Sequence, residues 1–463
     1  MAALTKAGGS LFWVRGMVGL WKRAARCGIV SVVLLGAQTA SAQYYPWPYA
    51  KADANGITNP SVATSLPYNG DPWGVRKSLA DRGITYNFVW TNDLLSNVSG
   101  GDKRGTIVQG KLDDQFTVDL EKLANLKDLT FYTNIFEIYN SGRIRRDYVG
   151  GINTIAAIEA TPTVRLSELW LEQKFLGGAA SLRVGQLAAD VEFFYSNVNT
   201  MFLQSDWPTI GAQNLPSGGP AYPLSTPGAR LKFDYGDNAS FLFAIFNGDP
   251  AGPCPVGADP DTCNRYGLNF RLRDPAFMIS EVQLRNNFGK NDTGLATTLK
   301  LGGWQHLGLF QDQANPDFAY RGDYGLYVVL DQQLWRPAGF GPEQGVLVFT
   351  RASASPSDRN QIDVEVDGGV VFAGLFPARP DDRFGASVIY SRYSHDVRAN
   401  PVNQIIPGIP GPYPDYETNL EFTYVAQIVP GWTVQPVYTR IWHPSGQPGH
   451  DAQVFGARSI VQF

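Results

Sequence analysis

Apolar and polar side chains alternate along most of this chain with a period of two. Ile84, Tyr86, Phe88 and Trp90 alternate with Thr85, Asn87 and Thr91, and Leu112, Phe116, Val118 and Leu120 alternate with Lys111, Asp113, Gln115, Thr117 and Asp119. The pattern returns where Leu268, Phe270 and Leu272 intercalate with Asn269, Arg271 and Arg273. It returns again at Ile362, Val364 and Val366 against Asp363, Glu365 and Asp367, and at Leu420, Phe422, Tyr424 and Ile428 against Asn419, Glu421, Thr423 and Gln427. Successive side chains of a strand point to opposite faces, so each segment is expected to be a strand with one apolar or aromatic face and one hydrophilic face. The final stretch, Gly456-Ala-Arg-Ser-Ile-Val-Gln-Phe463, places Ala457, Ser459, Val461 and Phe463 on one face and Gly456, Arg458 and Gln462 on the other. In a membrane strand Phe463 would join an interfacial girdle while Arg458 and Gln462 point into a polar interior. Between Val118 and Lys127, the spacing of Leu120, Leu123 and Leu126 suits a short helix instead.

Alternation alone fits two architectures, a soluble sandwich with its apolar faces inward or a closed membrane barrel with them outward. The amino terminus favours the second. Lys6, Arg15, Lys22, Arg23 and Arg26 precede an apolar run from Gly28 to Ala37, and Ala40-Ser41-Ala42 has the small residues of a cleavage site. That run is too short for a spanning helix, which needs about 20 residues. Residues 1–42 are therefore expected to be an export signal. Its removal takes five of the 38 basic residues and no acidic ones, leaving 33 against 42, a formal charge of −9. Phosphates demand a basic surface, so nucleic acid is excluded as a partner. With 13% aromatic residues and no other long apolar run, the exported chain has the profile of an outer-membrane protein.

Residues 43–72 open with Gln43-Tyr-Tyr-Pro-Trp-Pro-Tyr49 and carry five prolines, so an extended arm is expected there, placed to plug the periplasmic mouth or to trail from it. Residues 73–463 form the barrel domain. Sharing the exported chain among roughly 16 strands leaves about 26 residues for each strand with its connection, which suits strands of about ten residues joined alternately by short turns and long loops. Gly- and Pro-rich stretches at 207–228, 247–266, 397–416 and 443–451 are the expected long loops. Cys254 and Cys263 flank one such stretch and are candidates for a disulfide. A metal site is disfavoured, because His306, His395, His443 and His450 all lie far from these thiols in sequence. No cofactor is implied, and calcium at the acidic loops stays open.

Catalytic signatures are missing: the chain has no Gly-x-Ser-x-Gly, phosphate loop, His-Glu-x-x-His or Cys-x-x-Cys. Glu168 and Glu172 could pair as in a glycosidase, yet on one strand they fit a polar wall better.

The middle of the chain resembles a known family. Leu169-Trp-Leu-Glu-Gln173, then Ser181-Leu-Arg-Val-Gly-Gln-Leu187 with Asp190, Glu192 and Phe193, are similar to the carbohydrate-selective porins of the OprB family. Asp119-Leu-Glu-Lys-Leu123, Tyr222-Pro223, Phe246-Asn-Gly-Asp-Pro250, Asp323-Tyr-Gly-Leu-Tyr327 with Asp331, Leu334-Trp335-Arg336, Arg379-Pro-Asp-Asp382, Glu421 and Gln435-Pro436 complete the ordered series. The Pro/Tyr-rich arm, the Cys254 to Cys263 loop and Trp442-His-Pro depart from it. The resemblance implies an outer-membrane barrel of 16 antiparallel strands in a Gram-negative bacterium, passing monosaccharides such as glucose by passive diffusion, as a monomer or homotrimer.

A sugar offers hydroxyls to polar groups and a C–H face to rings. Glu168, Trp170, Glu172 and Lys174 are expected to face the lumen opposite Leu169, Leu171 and Phe175, with Arg183 joining them from the next strand. Glu168, Trp170, Glu172 and Arg183 are thus the candidate eyelet, and Asp113, Asp331, Arg351 and Glu365 are further channel-lining candidates. A general or ion-selective porin and a secreted carbohydrate-binding β-protein are the competing readings.

Overall fold

The computed structural model describes residues 51–255, 257–289, 292–315, 317–400 and 414–463. The expected signal, most of the 397–416 loop and the first part of the arm lie outside these. Sixteen strands pair antiparallel, each with its sequence neighbours, and the first closes on the last. They are β1 (Ile84–Ser99), β2 (Gly105–Asp119), β3 (Leu129–Asn140), β4 (Thr163–Phe175), β5 (Ala180–Leu187), β6 (Thr226–Tyr235), β7 (Ala239–Asn247), β8 (Ala276–Asn286), β9 (Thr297–Gln311), β10 (Ala319–Trp335), β11 (Gly345–Ala354), β12 (Ile362–Ala373), β13 (Arg383–Tyr393), β14 (Tyr416–Val429), β15 (Trp432–Trp442) and β16 (Ala452–Gln462). No described helix is long and apolar enough to cross a membrane. Closure pairs every interior ladder, which is what a bilayer requires of a sheet.

Side-chain direction follows the alternation. On β1, Trp90, Leu94 and Val98 are exposed outward, whereas Asn87, Thr91, Asp93 and Asn97 are buried inside. The inner wall is nevertheless partly apolar. Leu95, Ile107, Ile138, Leu242, Ile279, Val329, Phe349, Val371, Ile441 and Val454 are buried. They pack beneath two connections, 141–162 and 188–225, that fold into the lumen. Each such side chain withdrawn from water contributes about 1.5–3 kcal/mol, so the interior carries a hydrophobic core of its own.

The expected long loop at 207–228 in fact begins at residue 188, where β5 ends. Its departure inward leaves the upper edge of β4 without a neighbour. The connection between β7 and β8 fills that gap: Leu166 N donates to Tyr266 O at 3.0 Å, and Gln186 Nε2 to Gly267 O at 2.9 Å. A Cβ at Gly267, where φ is +67°, would sit 1.9 Å from the Leu166 carbonyl oxygen, so only glycine fits. This explains a correction. Leu268 to Arg273 alternate but form no strand, because the segment stands above the short β5 with no ladder beside it. Cys254 and Cys263 in the same connection are disulfide-bonded, with Cα atoms 5.5 Å apart.

Helix α1 (Val75–Asp81) and the residues before it pack on the turn end of the barrel, where the short connections and the carboxyl terminus lie. Gln462 Nε2 donates to Thr58 O at 2.8 Å. Phe463 is not a bare girdle residue. The buried Arg76 guanidinium lies 4.6 Å from its ring and 4.5 Å from that of Tyr86. The short helix expected near Leu120 is α2 (Leu120–Ala124), capped by Asp119.

At the β1–β16 seam Arg458 meets Asp93 through two bonds, of 2.7 and 2.9 Å, with both residues buried. Replacing Arg458 by Leu leaves an uncompensated carboxylate and should cost about 3–5 kcal/mol, measured as a lower urea midpoint for unfolding of the folded barrel in detergent.

Candidate functional site

The 188–225 connection crosses the lumen and is held there chiefly by carboxylates projecting from the wall. Glu168 on β4 accepts from Ala188 N at 3.4 Å. Glu281 on β8 accepts from Phe194 N at 2.9 Å, and Asp331 on β10 accepts from Asn197 N at 2.9 Å and from the Ser196 hydroxyl. Glu421 on β14 takes Leu203 N and Gln204 N, each at 2.9 Å. Glu365 on β12 takes Thr209 N at 3.1 Å and Ile210 N at 2.7 Å, the opening amides of α3 (Thr209–Asn214). An ionised carboxylate presents two acceptor oxygens, matching two consecutive amides that have no other partner in a helix's first turn. Glu417 holds the other inward connection similarly, accepting from Ile152 N and Asn153 N at 2.8 Å each.

Charges of the opposite sign complete the harness. Arg351 is bonded to Asp367 and donates from Nη1 to the carbonyls of Phe194 and Asp206 at 3.1 and 3.0 Å. Glu192 enters a four-membered cluster with Arg183, Arg230 and Glu172, with contacts from 2.9 to 3.2 Å. Burial opposes its ionisation, but Arg183 and Arg230 prevail and hold the Glu192 carboxyl below its ordinary range.

The candidate residues therefore divide. Glu168, Trp170, Glu172, Arg183, Asp113, Asp331, Arg351 and Glu365 all project inward. A bulge in β4 turns both Ser167 and Glu168 to the lumen, since Asn134 pairs with Glu168 and Ile135 with Leu166. Asp331 and Glu365 spend their polar atoms on the inward segment, and Arg351 divides its own between that segment and Asp367. Trp170 is 4% exposed, stacked on Tyr132 at 4.8 Å with the Arg183 guanidinium 3.9 Å from its ring. It has no face to offer a sugar, contrary to the expectation, and it positions Arg183 instead.

Cavities lie on both sides of this segment. The outer vestibule is bordered by Arg145, Arg146, Glu159 and Asp259. It shares Asp206, Trp207 and Tyr222 with an inner cavity lined by Lys111, Asp113, Glu168, Asp190 and Tyr195. On the turn side a wider vestibule is lined by Tyr132, Trp170, Glu172, Lys174 and Arg183, with Lys51 to Ala54 of the arm at its rim. At the neck, Lys111 is 2.9 Å from Asp113 and its ammonium lies over the rings of Phe136 and Tyr222, at 4.3 and 4.9 Å. Tyr222 N donates to Asp190 at 2.8 Å, and the Tyr222 hydroxyl to Ile158 O at 3.0 Å. Asp190, Tyr195, Asp206 and Tyr222 are the cavity-lining residues that strand alternation missed. Asp190 and Tyr222-Pro223 stood in the family-like series and were the available signal. Among the described residues no group of three or more His, Cys, Asp or Glu is placed to hold a metal ion.

The comparisons agree with this geometry. The model of the carbohydrate-selective porin, OprB family, matches residues 103–463. The chain belongs to that family. A curated relative, Porin B of Pseudomonas aeruginosa, is 24% identical over 418 residues, covering 81% of this chain and 87% of that protein. A high-pH structure of OprB from Pseudomonas putida aligns with a TM-score of 0.74 at 22% identity, covering 85% of this chain and 98% of that one. A low-pH structure of the same protein aligns at 0.54 and 18% identity, covering 86% and 98%. The porin is thus a 16-stranded outer-membrane channel for the diffusion of carbohydrates, and not an enzyme.

Two outcomes follow for the porin. Glu421→Ala strips Leu203 N and Gln204 N of their acceptor, at about 1–3 kcal/mol for each buried amide. Single-channel records should then show a larger, noisier conductance while the closed barrel keeps its heat-dependent gel mobility. Burial raises the Asp206 carboxyl to about 7, with Asp190 adding to the rise, and burial raises Asp190 to about 6. Both are neutral at pH 5 and ionised at pH 8, so the potassium-to-chloride permeability ratio should climb between these values. Asp190→Asn/Asp206→Asn should flatten that climb, read as reversal potential in a salt gradient.

Proposed function

We propose that monosaccharides such as glucose cross the neck between the rings and carboxyls of the inward segment, Tyr195, Tyr222, Asp190 and Asp206, and the Lys111, Asp113 and Glu168 side of the wall. The observation that carries this reading is the pairing of the fixed charges. Lys111 with Asp113, Arg351 with Asp367, and Arg183 and Arg230 with Glu172 and Glu192 each cancel locally. A path of compensated charges exerts little net field on an ion, yet offers donors and acceptors at close range to a neutral polyol. In this reading Glu172 and Arg183 act by placing Glu192, while Glu168 and Asp113 act directly on the solute.

The basic residues before Gly28 and the Ala40-Ser41-Ala42 sequence support export through the periplasm with cleavage after Ala42. The arm expected at 43–72 then lies on the periplasmic side, where its residues Lys51 to Ala54 border the exit vestibule.

The test is bilayer conductance with glucose titrated against an uncharged nonsugar of equal size. Saturable block by glucose alone is expected, and Tyr222→Ala should weaken it about tenfold, or about 1.4 kcal/mol. Equal effects of both solutes before and after the substitution would place the chain among general diffusion porins.

A further inference from the structure

A further recess lies on the turn side of the 188–225 connection, against β9 to β13 and away from the vestibule at Lys51 to Ala54. Tyr195 and Thr200 line both this recess and the inner cavity, whereas the inner cavity shares no lining residue with the Lys51 vestibule. Thr298 of β9 and Arg383 of β13 form part of its wall, and Asn197 enters from the connection. Two turn connections, 287–296 and 336–344, supply Phe288 and Glu343. These connections are braced against each other. Gln333 Oε1 accepts from Ala296 N at 3.1 Å, while its Nε2 donates to Gly341 O at 3.1 Å and Gln344 O at 2.7 Å. Arg336 Nη2 donates to Asp292 O and Gly294 O at 2.9 and 2.6 Å. On the facing side Asp331 accepts from Asn197 N at 2.9 Å, and the Thr200 hydroxyl donates to Asn197 O at 2.7 Å. Bracing of this kind holds a small group of side chains in fixed mutual positions.

Inside this frame, polar groups are left over. The Thr298 hydroxyl is buried and has no hydrogen-bond partner among the described residues. Nor do the Glu343 carboxylate and the Asn197 carboxamide bond to any described residue. Buried polar groups are matched as a rule, so an unmatched hydroxyl on a recess wall points to something that the recess receives. Beside it the Phe288 ring is 42% exposed. Burial pushes the Glu343 carboxyl up, and the positive charge of Arg383 opposes the rise. A hydroxyl, a carboxamide, a carboxylate and an uncovered aromatic face are the groups that suit a polyol ring. The alternatives fit less well. An anion meets Glu343, a cation meets Arg383, and an apolar solute leaves Thr298 unmatched.

We infer that this recess is a second carbohydrate subsite, which takes a neutral monosaccharide on the turn side of the neck, its C–H face on Phe288 and its hydroxyls on Thr298, Asn197 and Glu343. The inference rests on the reading of the neck as a sugar path. Tyr195 and Thr200 border both places, so a sugar leaving the neck on this side meets a second set of partners at once. Two weak sites in series favour passage, because a solute must be held well enough to enter and loosely enough to leave.

The test is saturation-transfer NMR on the porin in a detergent without a sugar headgroup, with glucose and the size-matched nonsugar as probes, beside the glucose block of conductance. Heat-dependent gel mobility checks that each variant keeps its barrel. In Tyr222→Ala, which weakens the neck, a glucose-specific signal should persist, and adding Phe288→Ala/Glu343→Gln should weaken that remaining binding about tenfold. Thr298→Val, which keeps the side chain's shape and removes its hydroxyl, should weaken it as well, while Thr298→Ser should retain it. Loss of the signal in Tyr222→Ala alone, or a signal there that Phe288→Ala/Glu343→Gln leaves unchanged, overturns the subsite and leaves the neck standing. Block that survives Tyr222→Ala and disappears in Phe288→Ala/Glu343→Gln supports the subsite and overturns the reading of the neck. A glucose signal no greater than that of the nonsugar in the natural sequence overturns both.

Discussion

A wall carboxylate accepting two backbone amides from an inward segment is the interaction on which the rest of this structure depends. Without an internal support, a ring of 16 strands encloses water. With Glu281, Asp331, Glu365 and Glu421 each gripping one point of the 188–225 connection, the ring acquires a floor, a neck and a partly apolar interior. Charge-assisted bonds of this type are about twice as strong as neutral ones. Several in series along one segment fix its course without needing regular secondary structure in it. The hydrophobic contacts of Phe193, Phe202, Trp207 and Ile210 then fill the space that the carboxylates define.

The same arrangement explains why a channel for neutral solutes can be built from so many ions. Each carboxylate is balanced by amide dipoles or by a guanidinium, so the interior is dense in charge yet nearly free of net field. On the connection itself, Asp190 and Asp206 retain freedom to gain or lose a proton in the physiological range. Selectivity therefore resides in a few side chains carried by the connection, while the strands supply position.

Much of the fold was legible because alternation has a simple physical cause. The outward Phe88, Trp90 and Phe422 and the inward Asn87, Glu365 and Glu421 all stand where period two placed them. The site was less legible. Glu365 and Asp331 face inward as the pattern implies, but nothing in a strand's sequence says whether such an acid meets water, a solute or a backbone amide. Trp170 was chosen for its ring, and the ring is already covered by Tyr132 and Arg183. Leu268 to Arg273 misled for a related reason. The segment occupies a strand's place in the wall with a strand's alternation, but the partner that would have made it a ladder ends at Leu187.

That substitution divides the barrel into two kinds of wall. Where strands meet, the seal is made by repeating hydrogen bonds, and an extra residue is absorbed by a local bulge, as in β4. Above β5 the seal is a single fitted piece, seated by Tyr266 and Gly267 and tied behind by a disulfide. A surface connection ordinarily tolerates changes in length, but this one serves as masonry. One residue added between Asn264 and Leu268 would displace the seat at Leu166 and breach the partition between membrane and lumen.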